Sequence, residues 1–269
     1  IHKRSKDSKS TTVTSKSTNL RFKHVPSEEV TVPVTGNVVL QCEAGGNPPP
    51  KIHWLKNGER VVQNVDEFSV DDDSGETDVN RFGVLGLSFT KSRLFLDCVQ
   101  PQDVATYTCV AENQYTRIFS DTVLNVVQQT TEKQLESVNA ESSENSISRC
   151  VSKKSYDYLI SSYSAILCPT GSPARIHMWT VSRLEMMGSS VQLYCRHSGA
   201  PHSSLSWTGP SDENKVIRTN GRKYHILENG DLVINDLAWE DMGSYSCHVR
   251  NQHGSDKVST FLYPTAVRI

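Results

Sequence analysis

The 269-residue sequence lacks the patterns that most enzymes and membrane proteins carry. It contains no HExxH, GxSxG, Walker or GxGxxG motif, and its nine histidines include no pair at the i, i+4 spacing of a zinc-binding helix. No apolar run approaches the roughly 18–20 residues that cross a bilayer. The net charge of −2 is not that of a general nucleic-acid binder. These absences predict a protein that is not an enzyme, has no transmembrane segment and binds no nucleic acid, metal or cofactor.

Cysteine, by contrast, is frequent enough to carry structural meaning. Seven cysteines are spread along the chain, with no CxxC pair and no Cys/His cluster at zinc-ligand spacing. Widely separated cysteines in a chain with β-strand patterns favour disulfide bonds, which persist in oxidising compartments. The sequence starts at Ile1 instead of Met, as expected after removal of a signal peptide. We therefore expect a secreted, extracellular protein whose odd cysteine is unpaired within the chain or bonded to another molecule.

One pattern occurs twice along the chain. A tryptophan follows the first cysteine of each copy after twelve residues, and each second cysteine ends an Asp-x-small-x-Tyr-x-Cys run. Apolar residues alternate before each first cysteine, at the period of two that places side chains on one face of a β-strand. The repeated residues are Cys42, Trp54, Asp103, Tyr107 and Cys109 in the first copy and Cys195, Trp207, Asp241, Tyr245 and Cys247 in the second. Repetition of this kind predicts two copies of one all-β domain.

The repeated pattern resembles the immunoglobulin superfamily, and its intermediate set in particular. The resemblance implies an all-β fold of two immunoglobulin-like β-sandwich domains in tandem, joined by a long, partly ordered linker. It also implies one disulfide bond across each sandwich with a tryptophan packed against it: Cys42–Cys109 with Trp54, and Cys195–Cys247 with Trp207. Each domain should further hold a corner tyrosine and a structural, non-catalytic carboxylate, namely Tyr107 and Asp103, and Tyr245 and Asp241.

The second copy narrows the resemblance. Its runs Leu184–Gly188, Glu228–Ile234, Trp239–Tyr245 and Phe261–Pro264 look like those of the secreted two-Ig proteins of invertebrates, which include the nematode zwei-Ig proteins and the insect imaginal-morphogenesis late protein. The nematode members hold axons in position in the ventral nerve cord, and the insect member binds insulin-like peptides and antagonises their signalling. The resemblance thus implies recognition of a neuronal surface protein in the maintenance of axon position. The alternative that it implies is a soluble protein that sequesters insulin-like peptides and modulates insulin signalling.

Composition divides the chain into four segments. Residues 1–24 form a basic arm too poor in large apolar residues to fold alone, so we expect a disordered tail, or a contact with glycosaminoglycans or a membrane surface. The two domains occupy residues 25–128 and 174–269. The linker, residues 129–173, begins polar and acidic and then carries an apolar stripe at helical spacing. This stripe predicts a short helix that packs onto a domain or binds a partner.

The spare cysteines are Cys98, Cys150 and Cys168. Cys98 aligns with Asp236 of the second copy, at a position expected to face outward near the linker. A bond from Cys98 to Cys150 or to Cys168 would restrict the linker, and a Cys150–Cys168 bond is the alternative.

Recognition residues carry no motif of their own. The acidic stretch between Val61 and Lys91 predicts a solvated loop or an added hairpin instead of a calcium site, because EF-hand spacing is absent. Contacts in such domains often use one outer sheet face, which in the second domain is expected to include Arg196, His248, Arg250 and Trp239. Trp179 is expected either to pack at the domain junction or to be exposed.

Overall fold

The computed structural model describes residues 20–63, 87–128, 171–210, 212–219 and 221–266. Within these ranges the chain forms seventeen strands, two short 3-10 helices (Pro101–Asp103 and Trp239–Asp241), and no helix long and apolar enough to cross a membrane. The strands are β1 (Arg21–His24), β2 (Glu29–Pro33), β3 (Val38–Gly46), β4 (Lys51–Lys56), β5 (Glu59–Arg60), β6 (Ser88–Leu96), β7 (Ala105–Glu112), β8 (Arg117–Val127), β9 (Ser172–Met186), β10 (Val191–Leu193), β11 (Cys195–Ala200), β12 (Ser204–Gly209), β13 (Asp212–Val216), β14 (Tyr224–Ile226), β15 (Leu232–Ile234), β16 (Gly243–Asn251) and β17 (Gly254–Thr265).

Several expectations concern residues outside the described ranges. They are the acidic loop, the predicted linker helix, Cys150, Cys168 and most of the basic arm.

The first sandwich packs β1, β3 and β6 against the sheet β2-β8-β7-β4-β5. Alternate residues of β6 face inward, because successive side chains of a strand point to opposite faces. Cys42 and Cys109 join the two layers through an S–S bond of 2.08 Å. The buried indole of Trp54 packs in the same core and donates its Nε1–H to Ser92 Oγ at 3.0 Å. This hydrogen bond lets a large ring occupy the core without leaving a buried donor unpaired.

The second sandwich repeats this plan. Strands β10, β15 and β14 form one sheet, and β17, β16, β12 and β13 lie side by side in another. Cys195 and Cys247 are bonded beside the buried indole of Trp207, which donates to Gly230 O at 2.9 Å. The two domains therefore share the disulfide and the buried ring but use different acceptors for the indole N–H.

Each domain has a tyrosine at the corner before its second cysteine. Tyr107 donates its hydroxyl to Asp103 O at 3.2 Å, while the Asp103 carboxylate accepts the Gln100 N–H. Tyr245 donates to Asp241 O at 3.0 Å, and burial raises the pKa of Tyr245, which keeps it a donor. Both carboxylates also pair with a lysine of their own domain. Each of the two carboxylates, Asp103 and Asp241, is thus bound by partners in the corner of its own domain.

Two boundaries differ from the expected ones. β1 forms from Arg21–His24, inside the expected basic arm, because Phe22 packs against the first core and the strand pairs with β3. β9 begins at Ser172, before residue 174 where the second domain is expected to start. The described part of each domain therefore begins earlier in the chain than composition suggests.

Cys98 is buried, with 8 % of its surface exposed, whereas the sequence predicts an outward side chain. It follows β6 in the left-handed backbone region (φ 52°), and its sulfur is in a disulfide bond. Cys150 and Cys168, the two partners that the sequence offers, lie outside the described residues, so the identity of the partner stays a prediction.

β9 joins the two domains into one sheet. It pairs antiparallel with β6 of the first domain, antiparallel with β11 through its first half, and parallel with β17 through Ser182–Met186. Among the described residues, nine strands thus share one sheet in the order β1-β3-β6-β9-β17-β16-β12-β13, with β11 also on β9. Without β9, one edge of β6 would leave backbone N–H and C=O groups unpaired in this part of the chain, so the pairing stabilises both domains.

β9 and its neighbourhood contribute side chains to both hydrophobic cores. Trp179 packs in the second core, whereas Met178 packs in the first and its sulfur accepts the Ile52 N–H at 3.4 Å. Adjacent strand residues point to opposite faces, and a register shift at His177 places Ile176 and Trp179, three residues apart, in the same core. Tyr194 of the second domain also packs in the first core. The first domain therefore completes its core with residues from the second.

His177 should make the stability of this junction depend on pH. Burial lowers its pKa to about 3, and the nearby charges of Arg196 and His197 act in the same direction. The unfolded chain takes up a proton here near pH 6.5 and the folded chain does not, so protons favour unfolding. We expect almost no effect above pH 7 and a loss that grows as the pH falls from 6.5 toward 3. At pH 5.5 the loss of unfolding free energy should be about 1.4 kcal/mol.

Urea unfolding at pH 7.4 and 5.5 measures this contribution. The His177→Gln variant should lose this pH-dependent change in stability. The matched control, His225→Gln at an exposed histidine, should retain the change. An unchanged pH dependence in His177→Gln would assign the effect to other groups.

Candidate recognition surface

The outer face of the shared sheet carries a row of side chains that crosses from one domain to the other. Phe89 on β6 is paired with Ser182 on β9, which is paired with Phe261 on β17, which is paired with Ser244 on β16. Directly paired residues of neighbouring strands project to the same face. Phe261 is 46 % exposed, and the Lys23 Nζ of β1 lies 5.0 Å from the centroid of the Phe89 ring. The face is therefore continuous across the domain junction.

An aromatic cluster adjoins this row. Tyr263 follows Phe261 on the same face of β17 and makes an edge-to-face contact with Trp239, with ring centroids 5.9 Å apart. Trp239 is 50 % exposed and Tyr263 41 %. Neighbouring exposed aromatic side chains are uncommon on soluble proteins and mark interaction sites. We call Trp239, Phe261 and Tyr263 the aromatic cluster.

Cations stacked on aromatic rings hold the two domains together beside this face. The Arg93 guanidinium of β6 lies 4.5 Å from the centroid of the Trp179 ring of β9 and 3.5 Å from a carboxylate oxygen of Asp256. Arg175 of β9 lies 4.7 Å from the centroid of the Phe95 ring of β6. Each such stacking contributes about 0.5–2 kcal/mol. The structure thus places Trp179 at the junction, and the face is supported by contacts that exist before any ligand binds.

Arg196 does not belong to the outer face, so that prediction is wrong. It lies on β11, and its guanidinium pairs at 2.9 Å with Asp231, whose side chain is fully buried. Asp231 also accepts the Cys195 N–H at 2.9 Å. A buried carboxylate requires such partners, and Arg196 is therefore a structural residue.

His248, Arg250 and Trp239 lie on or beside the outer face, whereas sequence reasoning missed Phe261 and Tyr263. A signal for them exists, because the run Phe261–Pro264 has apolar residues at both alternating positions of a strand. Among the residues that the structure describes, no three His, Cys, Asp or Glu side chains come together as a metal site. The described outward side chains of β12, β16 and β17 are apolar, hydroxyl-bearing or basic.

Comparison with known proteins finds the same two units. The immunoglobulin domain family matches residues 21–113, and the immunoglobulin I-set domain family matches residues 181–263. The chain is 30 % identical over 243 residues to Zwei Ig domain protein zig-4 of Caenorhabditis elegans, covering 90 % of this chain and 78 % of the relative. It is 28 % identical over 246 residues to Neural/ectodermal development factor IMP-L2 of Drosophila melanogaster, covering 91 % and 76 %.

The similarity extends to the fold. The crystal structure of neural ectodermal development factor IMP-L2 matches with a TM-score of 0.63 at 24 % sequence identity, covering 93 % of this chain and 96 % of that one. A match of this extent includes both domains.

Proposed function

The chain belongs to the immunoglobulin superfamily, as a two-domain relative of Zwei Ig domain protein zig-4, and from this premise we propose that it is an extracellular binding protein. It recognises a protein on cell surfaces in the nervous system and thereby helps to maintain the position of axons. The observation that carries the proposal is the exposed aromatic cluster on a sheet that both domains share. Aromatic side chains on a rigid support supply much of the binding energy of protein interfaces.

Extracellular action is supported by the disulfide bonds. Cys42–Cys109 and Cys195–Cys247 cross the centres of the two sandwiches, and Cys98 is bonded as well. Such bonds form and persist in oxidising compartments and are rare in the cytosol.

The second candidate is a soluble binding protein for insulin-like peptides. The similarity to IMP-L2 over most of both chains favours this second candidate. The resemblance described in the sequence analysis implies insulin-like peptide binding for the insect member of the two-Ig proteins. A continuous sheet face across two domains also provides an apolar surface for a small folded hormone.

Replacing Phe261 by serine should weaken ligand binding by at least about tenfold, since truncating a central aromatic anchor removes a major part of the binding energy. The Kd is measured for the labelled protein on cultured neurons and on immobilised insulin-like peptides. The matched control is Phe119→Ser, because Phe119 is 57 % exposed but lies on β8 in the other sheet of the first domain.

Saturable neuronal binding that falls in Phe261→Ser and not in Phe119→Ser is the expected result. Nanomolar binding to an insulin-like peptide with the same dependence would favour the second candidate. Equal affinity of wild type and Phe261→Ser for every bound ligand would contradict a role of the aromatic cluster.

A further inference from the structure

The outer face of the second domain has a second, chemically different part. Beyond the aromatic cluster, β12, β16 and β17 project cations and hydroxyl groups. This cationic end consists of Ser204 and Ser206 on β12, Ser246, His248 and Arg250 on β16, and Ser255, Lys257 and Ser259 on β17. His248 is paired directly with Lys257, and Arg250 with Ser255, so these side chains form one compact patch.

Among the side chains that the structure describes on β12, β16 and β17, no acid balances the charge of this patch. Along the described length of β12, β16 and β17, no outward position carries a carboxylate. Arg250 and Lys257 are exposed, and neither forms an ion pair in the part of the chain that the structure describes. Asp256 lies between them in sequence but turns to the domain junction, where it accepts the Ile176 N–H at 2.9 Å. An uncompensated positive patch attracts anionic groups.

His248 adds a group that responds to the charge beside it. Burial lowers its pKa, and the positive charge of Lys257 lowers it further. Its Nε2 is enclosed and has no hydrogen-bond partner among the described residues. At neutral pH the patch therefore carries two permanent charges, on Arg250 and Lys257, beside a neutral imidazole and several hydroxyl groups.

We propose that the cationic end binds carboxylate side chains of the same protein partner whose apolar surface covers the aromatic cluster. This inference rests on the proposed function, because it gives the orientation of that partner. Lys257 and Phe261 are four residues apart on β17, which places the acidic and apolar contacts about 13 Å apart.

The composition of the face favours a protein over a polyanionic polysaccharide. Rigid aromatic anchors combined with serine hydroxyls and arginine are typical of surfaces that bind proteins. A sulfated polysaccharide repeats its charges along the chain, whereas the patch offers two permanent cations in a hydroxyl-rich setting.

Titration of the isotope-labelled full chain with tetraglutamate, followed by NMR, tests the inference. We expect saturable shifts at the amides of the cationic end, with a Kd on the order of 1 mM, and a rise in the pKa of His248 as the bound carboxylates offset Lys257. The double variant Arg250→Ser/Lys257→Ser should bind about tenfold more weakly. Lys215→Ser, which removes an exposed lysine of the neighbouring β13, should bind like wild type.

Two further probes separate the sources of negative charge. Inorganic sulfate at equal ionic strength should bind at least about tenfold more weakly than tetraglutamate, and a heparin octasaccharide should not prefer this patch over other cations. Equal binding of sulfate, tighter heparin binding at the same residues, or absence of saturable tetraglutamate shifts would overturn the inference. None of these outcomes affects the proposed function, which the Phe261→Ser variant tests separately.

Discussion

Replacement of Arg183 by methionine is expected to lower the free energy of unfolding by about 3–5 kcal/mol. Arg183 and Glu185 form an ion pair on β9 with side chains only 3 % and 1 % exposed. Arg183 is paired with Ser88 of β6 on one side and Leu262 of β17 on the other, so the ion pair lies where the two domains meet. Removing the cation leaves an uncompensated carboxylate in the protein interior, which is far costlier than losing an exposed pair.

A second variant separates the charge effect from a packing effect. In Arg183→Met/Glu185→Leu both charges are gone, and most of the lost stability should return, because apolar residues of similar volume often replace a buried ion pair at little cost. Within the part of the chain that the structure describes, the Arg183 Nε and Nη1 have no hydrogen-bond partner, so the double variant also removes unpaired donors. Urea unfolding measures both variants. A single variant as stable as wild type would show that Glu185 is not enclosed in the folded protein.

Replacement of Met178 by alanine should destabilise the first domain by about 3 kcal/mol, although Met178 belongs to the sequence of the second. Its side chain fills the first core and its sulfur accepts the Ile52 N–H, so the variant leaves a cavity there. Hydrogen exchange at amides of β3 and β7 reports the stability of the first domain directly. Met187→Ala is the matched control, because Met187 is 39 % exposed and its truncation should cost less than about 0.5 kcal/mol. Destabilisation confined to the second domain would contradict this packing.

The proposed recognition surface also depends on the pairing of β6 with β9 at the domain junction. The row from Phe89 to Phe261 exists only while β6 and β9 remain paired, since the two side chains come from different domains. A variant that loosens the pairing should therefore weaken ligand binding even though it touches no ligand. If the two strands separate, part of the binding free energy must be spent on bringing them together again, and the affinity falls by that amount.

The sequence predicts the two sandwiches because their cores depend on local, repeated spacing. Each domain repeats a cysteine, a tryptophan twelve residues later and a corner tyrosine, and each of these lies in a strand whose apolar residues alternate. The structure places Trp54 and Trp207 in the two cores. The immunoglobulin fold and the two-domain organisation are accordingly confirmed.

The joining of the two sheets was harder to predict from sequence. The backbone N–H and C=O groups at a strand edge can pair with any other strand. The side-chain pattern of β6 therefore does not indicate which strand lies beside it. The structure shows the joining in β9, where five consecutive residues, Ile176–Thr180, are buried, but the polar His177 and Thr180 hide this run in the sequence. An uninterrupted buried run is typical of a strand covered on both faces, and a single exposed-edge strand would show alternation instead. The aromatic cluster depends on this joining for its position next to the first domain.

Hydrogen exchange along β6 in the wild-type protein tests the shared sheet most directly. Successive amides of a strand point to opposite neighbours, and β6 lies between β3 and β9. Both alternating sets of amides within Ser88–Ser92 should therefore exchange slowly. The Leu184 amide, which donates to Leu87 O at 3.1 Å, should also exchange slowly. Rapid exchange of every second amide in Ser88–Ser92 and of Leu184 would show that β6 is a free edge and that the two domains do not form a common face.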